Sequence, residues 1–280
     1  MLHRVAQVSL LTYDEHGAAA RESTLVREAT VAIHLNGALI TRIQCMPDGL
    51  SELAVGFLVT AGIVCDRAEL HQVVVDADSM TVEVTAELPA GRVETLGECS
   101  EGGAPFDRGP SQLGAAAPPA AQRRNGPGRP FIQEDLSTSI GTAHLSRLTM
   151  EAARIMKLGH QFDTRPGLYQ QTQCVHSAAL SDGARYLYFA EDLGRHSAVD
   201  KAIGQAFCAG ACFSDLVLLC SGRFARDMVV KVARVGIPLV ISPAAATHEA
   251  AMMAESCQIA LCGRVRRRSM TVYSAAWRVR

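Results

Sequence analysis

The sequence lacks any long hydrophobic run. Its first residues, up to Gly17, contain no apolar segment long enough for a signal peptide, and the longest apolar stretches, such as 216–220, suit buried strands. The sequence therefore predicts a cytoplasmic protein without a membrane span. Hydrophobic residues make up 48% of the 280 residues and charged residues 20%, which is typical of a globular chain with a substantial core.

Several functional motifs are also missing. The pattern GxxxxGK[ST] does not occur, which excludes a Walker-type phosphate loop. The zinc deaminase signature, H-x-E followed by PCxxC, is absent, and no CxxC pair is available to complete a structural metal site. We therefore expect that the protein holds no metal of its own.

The sequence has no excess of positive charge and few aromatic residues that could stack on bases. The formal net charge is −1, aromatic residues make up 5%, and only Tyr273 and Trp277 lie close to the basic C-terminal segment. Nucleic-acid binding depends on positive charge and, for single strands, on aromatic platforms. We therefore expect no nucleic-acid partner.

Cysteine, in contrast, is present nine times. The number is odd, and most of the cysteines stand within apolar segments rather than in loops. A disulfide framework has an even number at regular spacings, so this pattern predicts reduced thiols, as in a cytoplasmic protein.

The first hundred residues combine strands with one helix. Residues 30–44 alternate apolar and polar up to Asn36-Gly37, which predicts a hairpin, and residues 71–88 predict a second one. Between them, apolar residues recur at helical spacing behind Asp48, a candidate cap, and before Gly62. These residues are Leu50, Leu53, Ala54, Phe57, Leu58 and Ala61. We expect a small α+β unit here.

The segment 100–130 differs from both of its flanks. Gly, Pro and Ala supply 18 of its 31 residues. Such a composition buries too little apolar surface to offset chain entropy, which predicts a flexible loop or linker. A helix is predicted after it at 143–158, with Leu145, Leu148 and Ile155 on one face and Gly159 at its end.

From residue 167 onward, apolar strands alternate with helices. The pattern predicts a hairpin around Ser181-Asp182-Gly183 and, after a strand, a helix in the segment 191–207. The strands that follow are predicted at 216–221, 237–242, 259–265 and 270–274, and the helices between them at 225–235 and 247–256. This alternation indicates a largely parallel α/β sheet covered on both faces.

The densest group of polar residues stands at one strand-to-helix junction. Glu191, Asp192, Arg195 and His196 lie within the segment EDLGRHSAVDKAIG. Open α/β sheets bind ligands at such junctions, and a helix start favours an anion. A capped helix with surface charges is the alternative, but so many ionisable types at one junction favour a functional site.

Two further segments carry polar residues at comparable positions. Ser221, Gly222 and Arg223 stand between a strand and a helix, where a serine–glycine turn and a guanidinium suit a phosphate. Cys174 and His176 stand two residues apart, and their side chains share a face if the segment is a strand. They are candidates for the lining of a pocket.

The segment after the strand at 259–265 is strongly basic. Residues 264–280 contain six arginines and no acidic residue, and four of these arginines are Arg264, Arg266, Arg267 and Arg268. A solvated edge is the usual meaning of such a run. A polyanionic ligand is the more specific interpretation, because converging guanidinium groups bind phosphate strongly.

Cys99 stands at the edge of the Gly/Pro/Ala-rich segment, and its spacing alone is ambiguous. A nucleophilic thiol needs exposure and a lowered pKa, whereas the nearby Glu98 and Glu101 raise a thiol pKa. Exposed free thiols are, on the other hand, uncommon in folded proteins. A functional and an incidental cysteine therefore remain as alternatives at this point.

The chain as a whole resembles one known family. From about residue 28 to 275, the following segments occur in the order that this family shows: VAIHLNG, PDGLSELAVGFLVTAGIV, CVHSAAL, EDLGRHSAVDKAIG, SGRFARDMVVKVARVGIPLVIS and RRRSMTVYS. The combination of EDLGRHSAVDK with SGR some twenty residues later is the most specific part. The sequence is similar to the FdhD/NarQ family of formate dehydrogenase accessory sulfurtransferases.

The resemblance implies a fold and a domain order. The fold class is α/β, with a cytidine-deaminase-like C-terminal domain that lacks zinc and a smaller α+β N-terminal domain, in a homodimer. The expected boundaries are 1–98 for the small domain, 99–135 for a flexible loop carrying Cys99, and 136–280 for the α/β domain. The helix at 143–158 is expected either within the α/β domain or packed on the small domain.

The resemblance also implies a task. Family members accept sulfur from a cysteine desulfurase as a protein persulfide and pass it to the bis-guanine-dinucleotide form of the molybdenum or tungsten cofactor, which then enters formate dehydrogenase. Cys99 matches the cysteine that carries the persulfide, and the segment from Arg264 to Ser269 matches the cofactor contact.

Further residues are expected to support cofactor or guanine nucleotide binding. Arg195, Arg223 and the arginines at 264–268 would bind phosphates, and Asp192 and His196 would bind a guanine or orient ligands. The other candidate cofactor-binding residues are Val265, Arg266, Arg267, Arg268, Ser269, Ser221 and His176.

The sequence departs from the family pattern at two places. The family loop usually has a Cys-x-x-Cys pair, and Gly102 stands at the second position. The family also tends to have a Lys-Pro-Gly-Arg-like turn where this chain reads Arg266-Arg267-Arg268-Ser269. A single thiolate can still accept sulfur by exchange. The alternative function is a cofactor- or guanine-nucleotide-binding chaperone without sulfur transfer.

Overall fold

A computed structural model describes residues 4–15, 17–89 and 142–280. The chain begins with a two-stranded antiparallel ribbon, β1 (Val5–Asp14) and β2 (Gly17–Val26). Most of the ribbon is exposed, so its residues carry no clear alternation of buried and exposed positions. This is why the sequence did not predict it.

The two predicted hairpins form a four-stranded sheet. Its strands are β3 (Ala29–Leu35), β4 (Ala38–Cys45), β5 (Leu70–Asp76) and β6 (Thr81–Ala86), in the order β4-β3-β6-β5. Asn36 and Gly37 adopt φ values of 51° and 83°, as the predicted two-residue turn requires. The Asn36 side chain also pairs with the backbone of Ala86, which fastens the turn to β6.

The predicted helix between the hairpins is α1 (Leu50–Thr60). The predicted cap is wrong: Gly49 occupies the N-cap position with a left-handed φ of 56°, and no side chain caps the helix. The Asp48 carboxylate instead lies 3.0 Å from Lys201 Nζ, in the C-terminal half of the chain.

The C-terminal half is built on a six-stranded sheet. Its strands are β7 (His176–Ser181), β8 (Tyr186–Asp192), β9 (Val217–Cys220), β10 (Leu239–Ile241), β11 (Ala260–Gly263) and β12 (Thr271–Val272), in the order β12-β11-β10-β9-β7-β8. β9, β10 and β11 are parallel, β7 and β12 run against them, and β8 runs against β7. The predicted largely parallel sheet is therefore a mixed one, because hairpins add an antiparallel strand on either side of the parallel core.

Helices cover both faces of this sheet, as predicted. They are α2 (Ala152–Asp163), α3 (Leu168–Thr172), α4 (Arg195–Cys208), α5 (Arg226–Val235) and α6 (His248–Ser256). Ile155 and Leu158 of α2 pack with Ala179 and Leu219 on one face, while α4 packs with Ala178 and its neighbours on the other.

The helix predicted at 143–158 is wrong at both ends. Thr142–Leu145 forms a short 3-10 turn, and Met150 pairs with Val279 near the C-terminus, so the α-helix begins only after Glu151. Gly159 does not end it. A β-carbon at Gly159 would lie 2.6 Å from Val265, so the glycine lets the helix pack closely on the sheet.

The two halves share a continuous hydrophobic core. Buried residues of α1, such as Leu53 and Leu58, belong to the same cluster as Ala202 and Ile203 of α4. The helices approach so closely that a β-carbon at Gly204 would overlap a backbone carbonyl of α1. Both predicted domain boundaries fall between residues 90 and 141, outside the described residues, and they remain predictions. Among the helices of the described ranges, none has the length and hydropathy needed to span a bilayer.

Candidate functional site

The predicted site residues that the structure describes lie along one side of the six-stranded sheet, at the carboxyl ends of its parallel strands. We call this side the sheet edge. β8, β9, β10 and β11 end at this edge, and β7 begins there. His176 pairs with Asp192 across β7 and β8, and Ser221 follows β9 directly. Because neighbouring strands lie about 4.8 Å apart, the ends of β8 and β11 are separated by about 19 Å. The edge can therefore present side chains to an extended ligand.

His176 and Ser221 form a hydrogen-bonded pair. Ser221 Oγ accepts a hydrogen bond from the Ser177 backbone N–H at 2.9 Å and lies 3.1 Å from His176 Nδ1. A hydroxyl can donate one hydrogen bond and accept two, so the direction of this bond depends on the tautomer of the ring. When the hydroxyl donates to Nδ1, the proton of the neutral imidazole is on Nε2. Burial, followed by the positive charges of Arg195 and His196, lowers the pKa of His176 and keeps the ring neutral at pH 7.

Arg195 lies against the glycine that follows Ser221. A β-carbon at Gly222 would lie 2.8 Å from Arg195 Cδ and 2.9 Å from Arg195 Cβ. Arg195 Nε is buried and has no hydrogen-bond partner among the described residues. A buried guanidinium N–H without a partner is energetically costly. Because this atom has no accessible surface, an anion would contact Arg195 through the exposed part of its half-buried side chain.

His196, the next residue of α4, is paired with α5. Its Nε2 lies 2.9 Å from Asp227 Oδ2, and both side chains are about a third exposed, at 35% and 36%. Burial lowers the pKa of His196, while Asp227 acts in the opposite direction. The pair links the start of α4 to the start of α5, on either side of Gly222.

Asp192 is fully buried, with no exposed surface. Its Oδ2 lies 2.6 Å from Lys201 Nζ. Burial raises the pKa of Asp192 above its usual value, and the Lys201 ammonium offsets part of this rise. A carboxylate in this position cannot contact a guanine directly. We call His176, Asp192, Arg195 and Ser221 together the buried end of the edge.

The basic segment after β11 forms a tight turn between β11 and β12. Arg264 adopts a left-handed φ of 52°, Val265 is buried, and the Arg266 N–H donates to Ser269 O at 2.8 Å. The arginines at 264, 266, 267 and 268 are all exposed, as is Arg223 after β9. The Arg266 guanidinium also donates to Pro243 O at 2.7 Å, which holds it against the loop after β10. We call residues 264–269 the arginine turn.

A pocket lies beside His176 and Ser221. It has a volume of about 140 Å³ and is lined in part by Arg165, Tyr169, Phe189 and Glu191. The Arg165 guanidinium carbon lies 3.9 Å from the centre of the Phe189 ring. Because drug-sized sites measure roughly 300–1,000 Å³, this pocket fits one ring or one small group of a larger ligand.

Comparisons with known proteins agree with the sequence resemblance. A model of the FdhD/NarQ family matches residues 26–109 and 110–280. The chain belongs to the FdhD/NarQ family. The sulfur carrier protein FdhD of Bacillus subtilis is 29% identical over 269 residues, which is 96% of this chain and 95% of that protein. The sulfur carrier protein FdhD of Listeria innocua is 30% identical over 258 residues, which is 92% of each.

The fold agrees with a solved structure as well. A formate dehydrogenase accessory protein from Desulfotalea psychrophila superimposes with a TM-score of 0.75 at 22% identity, covering 99% of this chain and all of that one. The fold class that the sequence predicted is confirmed.

The described residues include eight cysteines, and all of these are free thiols. Burial raises the pKa of Cys45 and Cys262 to about 12, which makes both poor nucleophiles. Cys174 is exposed but precedes the first residue of β7, so it does not share a strand face with His176. Cys99 and Gly102 lie outside the described residues.

Lys201 and most of the pocket lining were not predicted from the sequence. Lys201 stands inside the quoted EDLGRHSAVDK segment, but its role depends on Asp48, which is more than 150 residues away along the chain. Arg165, Tyr169 and Phe189 come from three separate elements and share no spacing that a sequence pattern could show.

Proposed function

We propose that this chain is a sulfur carrier that serves the maturation of formate dehydrogenase. The FdhD/NarQ family and the names of the Bacillus subtilis and Listeria innocua relatives support this role. The structural observation that carries it is the group of guanidiniums at the sheet edge. Arg195 lies against Gly222 near the His176–Ser221 pair, and the exposed arginine turn follows β11.

The proposed substrate is the bis-guanine-dinucleotide form of the molybdenum or tungsten cofactor. It carries several phosphates, and the edge offers guanidinium groups at both of its ends. In this proposal Arg195 binds a phosphate at the buried end, and Arg223 and the arginine turn bind others. His176, through Nε2–H, and His196 contact the polar parts of the ligand, while Asp192 positions the turn that carries Arg195.

The sulfur step follows ordinary thiol exchange. The Cys99 thiolate attacks the outer sulfur of the persulfide on a cysteine desulfurase. A new S–S bond forms on Cys99 as the S–S bond of the donor breaks, and the donor cysteine leaves as a thiolate. Sulfur changes carrier with no net oxidation, so this step needs no other oxidant or reductant.

The test is intact-protein mass spectrometry after incubation with a cysteine desulfurase and cysteine. We expect the wild type to gain the mass of one sulfur atom and Cys99→Ala to gain none. The matched control replaces the exposed Cys65, Cys174, Cys208 and Cys212 by alanine and keeps Cys99. Sulfur that persists in Cys99→Ala but disappears in the control would contradict the assignment to Cys99.

A second candidate is a chaperone that binds the cofactor, or a guanine nucleotide, without moving sulfur. Gly102 at the position of the family's second cysteine favours it, because a resolving thiol is missing there. This alternative predicts no sulfur gain in the wild type, together with GDP binding that Cys99→Ala leaves unchanged. GDP serves as the probe because it is the nucleotide half of the proposed substrate.

The proposal includes further expectations about assembly and location. We expect a cytoplasmic homodimer that associates with a cysteine desulfurase and with formate dehydrogenase. Light scattering of the purified chain tests the dimer, since a monomer mass at micromolar concentration would contradict it. Co-purification with each tagged partner tests the two associations separately.

A further inference from the structure

Three charged side chains meet behind the buried end: Lys201 and Asp192 are buried, and Asp48 is partly exposed. Lys201 Nζ lies 2.6 Å from Asp192 Oδ2 and 3.0 Å from Asp48 Oδ1, and it donates to Met46 O at 3.4 Å. The Lys201 side chain is only 3% exposed. An ammonium has three N–H donors, so these partners occupy all of them and leave none for a ligand.

The cluster joins two distant parts of the chain. Asp48 and Met46 lie between β4 and α1, whereas Asp192 ends β8 and Lys201 lies in α4. Both carboxylate oxygens of Asp192 also lie 3.4 Å from the Met46 backbone nitrogen. The charged groups that face Lys201 therefore come from both halves of the molecule.

The same carboxylate reaches the turn that carries Arg195. Asp192 Oδ1 lies 3.5 Å from the backbone nitrogen of Gly194, which is the N-cap residue of α4, and Arg195 is the first residue of that helix. Gly194 has no side chain, and among the described residues no other side chain caps the N-terminus of α4. The orientation of this helix start thus depends on Asp192, and the position of Asp192 depends on Lys201.

We propose that Lys201 is a positioning residue for the anion site: by holding Asp192 against Asp48, it fixes the turn at 193–195 and so directs Arg195 toward the ligand. This inference rests on the proposed function, in which Arg195 binds a phosphate. In this proposal the N-terminal half of the chain contributes to the anion site, because Asp48 and Met46 contact Lys201.

The molecule contains a matched control for this inference. Lys231 Nζ lies 2.7 Å from Asp200 Oδ2 and 3.0 Å from Thr60 Oγ1, so it also joins the two halves through a buried ion pair. Asp200 and Lys201 are neighbours on α4, but the hydrogen bonds of the Asp200 cluster join it to Thr60 and Lys231 and not to the turn at 193–195. Lys231 acts on the adjacent His196 only through its charge. Loss of either lysine leaves an uncompensated buried aspartate.

The experiment compares Lys201→Met with Lys231→Met in the full chain, without ligand and with GDP. In the free proteins we measure backbone hydrogen exchange of the 193–195 turn. We expect exchange there to accelerate about tenfold in Lys201→Met and to stay at the wild-type rate in Lys231→Met. For GDP, we expect Kd to rise about tenfold in the first variant and less than about twofold in the second.

A double variant separates positioning from charge compensation. Asp192→Asn with Lys201→Met removes both charges, so the fold no longer contains a buried unpaired carboxylate, and the variant stays measurable if Lys201→Met alone does not fold. Positioning predicts that the turn still exchanges fast. Wild-type exchange and GDP affinity in the double variant would overturn the inference. If the wild type itself binds no GDP, the proposed ligand is wrong, and the exchange rates still decide the role of Lys201.

Discussion

The two ends of the sheet edge present positive charge in opposite ways. At the buried end, Arg195 lies against Gly222 with its Nε unpaired among the described residues, and Asp192 and Lys201 support the turn from behind. At the arginine turn, four arginines are exposed to solvent, and Arg266 is the one whose guanidinium donates to backbone carbonyls among the described residues. The same residue type is thus packed and half-buried at one end and exposed to solvent at the other.

This difference sets what each end can contribute. A hydrogen bond to a charged group in a desolvated place contributes about 1.5–3 kcal/mol. An exposed ion pair contributes about 0.2–1 kcal/mol, and salt screens it. We therefore expect the buried end to determine which anion is bound and in what orientation, and the arginine turn to attract and retain a polyanion.

The largest expected effect is that of Arg195→Gln. Loss of this guanidinium removes a charge-assisted hydrogen bond to the phosphate, so Kd for GDP should rise about 10- to 100-fold by calorimetry. Arg185→Gln is the control, because Arg185 is exposed in the β7–β8 turn at the opposite edge and pairs there with Asp182. An Arg195→Gln variant that binds as tightly as the control would remove the distinction between the two ends.

The next effect comes from Gly222→Ala. The added β-carbon would lie 2.8 Å from Arg195 Cδ and 2.9 Å from Arg195 Cβ. Because Cβ is bonded to the backbone, the first turn of α4 must shift together with the Arg195 side chain, and we expect Kd for GDP to rise about tenfold. The double variant with Arg195→Gln is the control. If Gly222 acts through Arg195, the two losses will not add.

The contrast also explains what the sequence could predict. Local patterns found the hairpin at Asn36-Gly37, the strand ends and the polar junction at 191–196, because each depends on neighbouring residues. The Asp48 pairing with Lys201 escaped prediction, since it joins residues from two folded halves. The predicted helix at 143–158 failed for a similar reason: Met150 pairs with Val279 near the other end of the chain.

Smaller effects are expected at the arginine turn. Arg267→Gln should raise Kd for GDP about two- to threefold at about 50 mM salt, because the residue is exposed and contributes mainly through its charge. At about 0.5 M salt the difference from wild type should vanish, whereas that of Arg195→Gln should remain. Titrations at both salt concentrations test this. A salt-independent loss in Arg267→Gln would mean that this arginine makes a fixed contact.

The smallest effect is a pH dependence from His176. Burial, Arg195 and His196 lower its pKa below 6.5, so the free protein holds a neutral ring at pH 7. A bound anion offsets the positive neighbours and raises that pKa, which means that binding takes up a proton. Affinity should therefore increase, by less than about twofold, as pH falls from about 7.5 to about 5.5.

Sulfate is the appropriate probe for this effect, because its charge does not change over that pH range, whereas a nucleotide phosphate titrates near pH 6. His176→Gln should abolish most of the dependence. His196 is the second histidine near Arg195 and is paired with Asp227, and burial lowers its pKa as well, so His196→Gln measures its share. If sulfate affinity rises equally with falling pH in the wild type, His176→Gln and His196→Gln, the proton binds to a group outside the buried end. If the pH dependence of sulfate affinity disappears in His176→Gln and remains in His196→Gln, the titrating group is His176, which lies beside Ser221 and Arg195. This is the end of the edge where burial, and not the number of charges, determines the geometry.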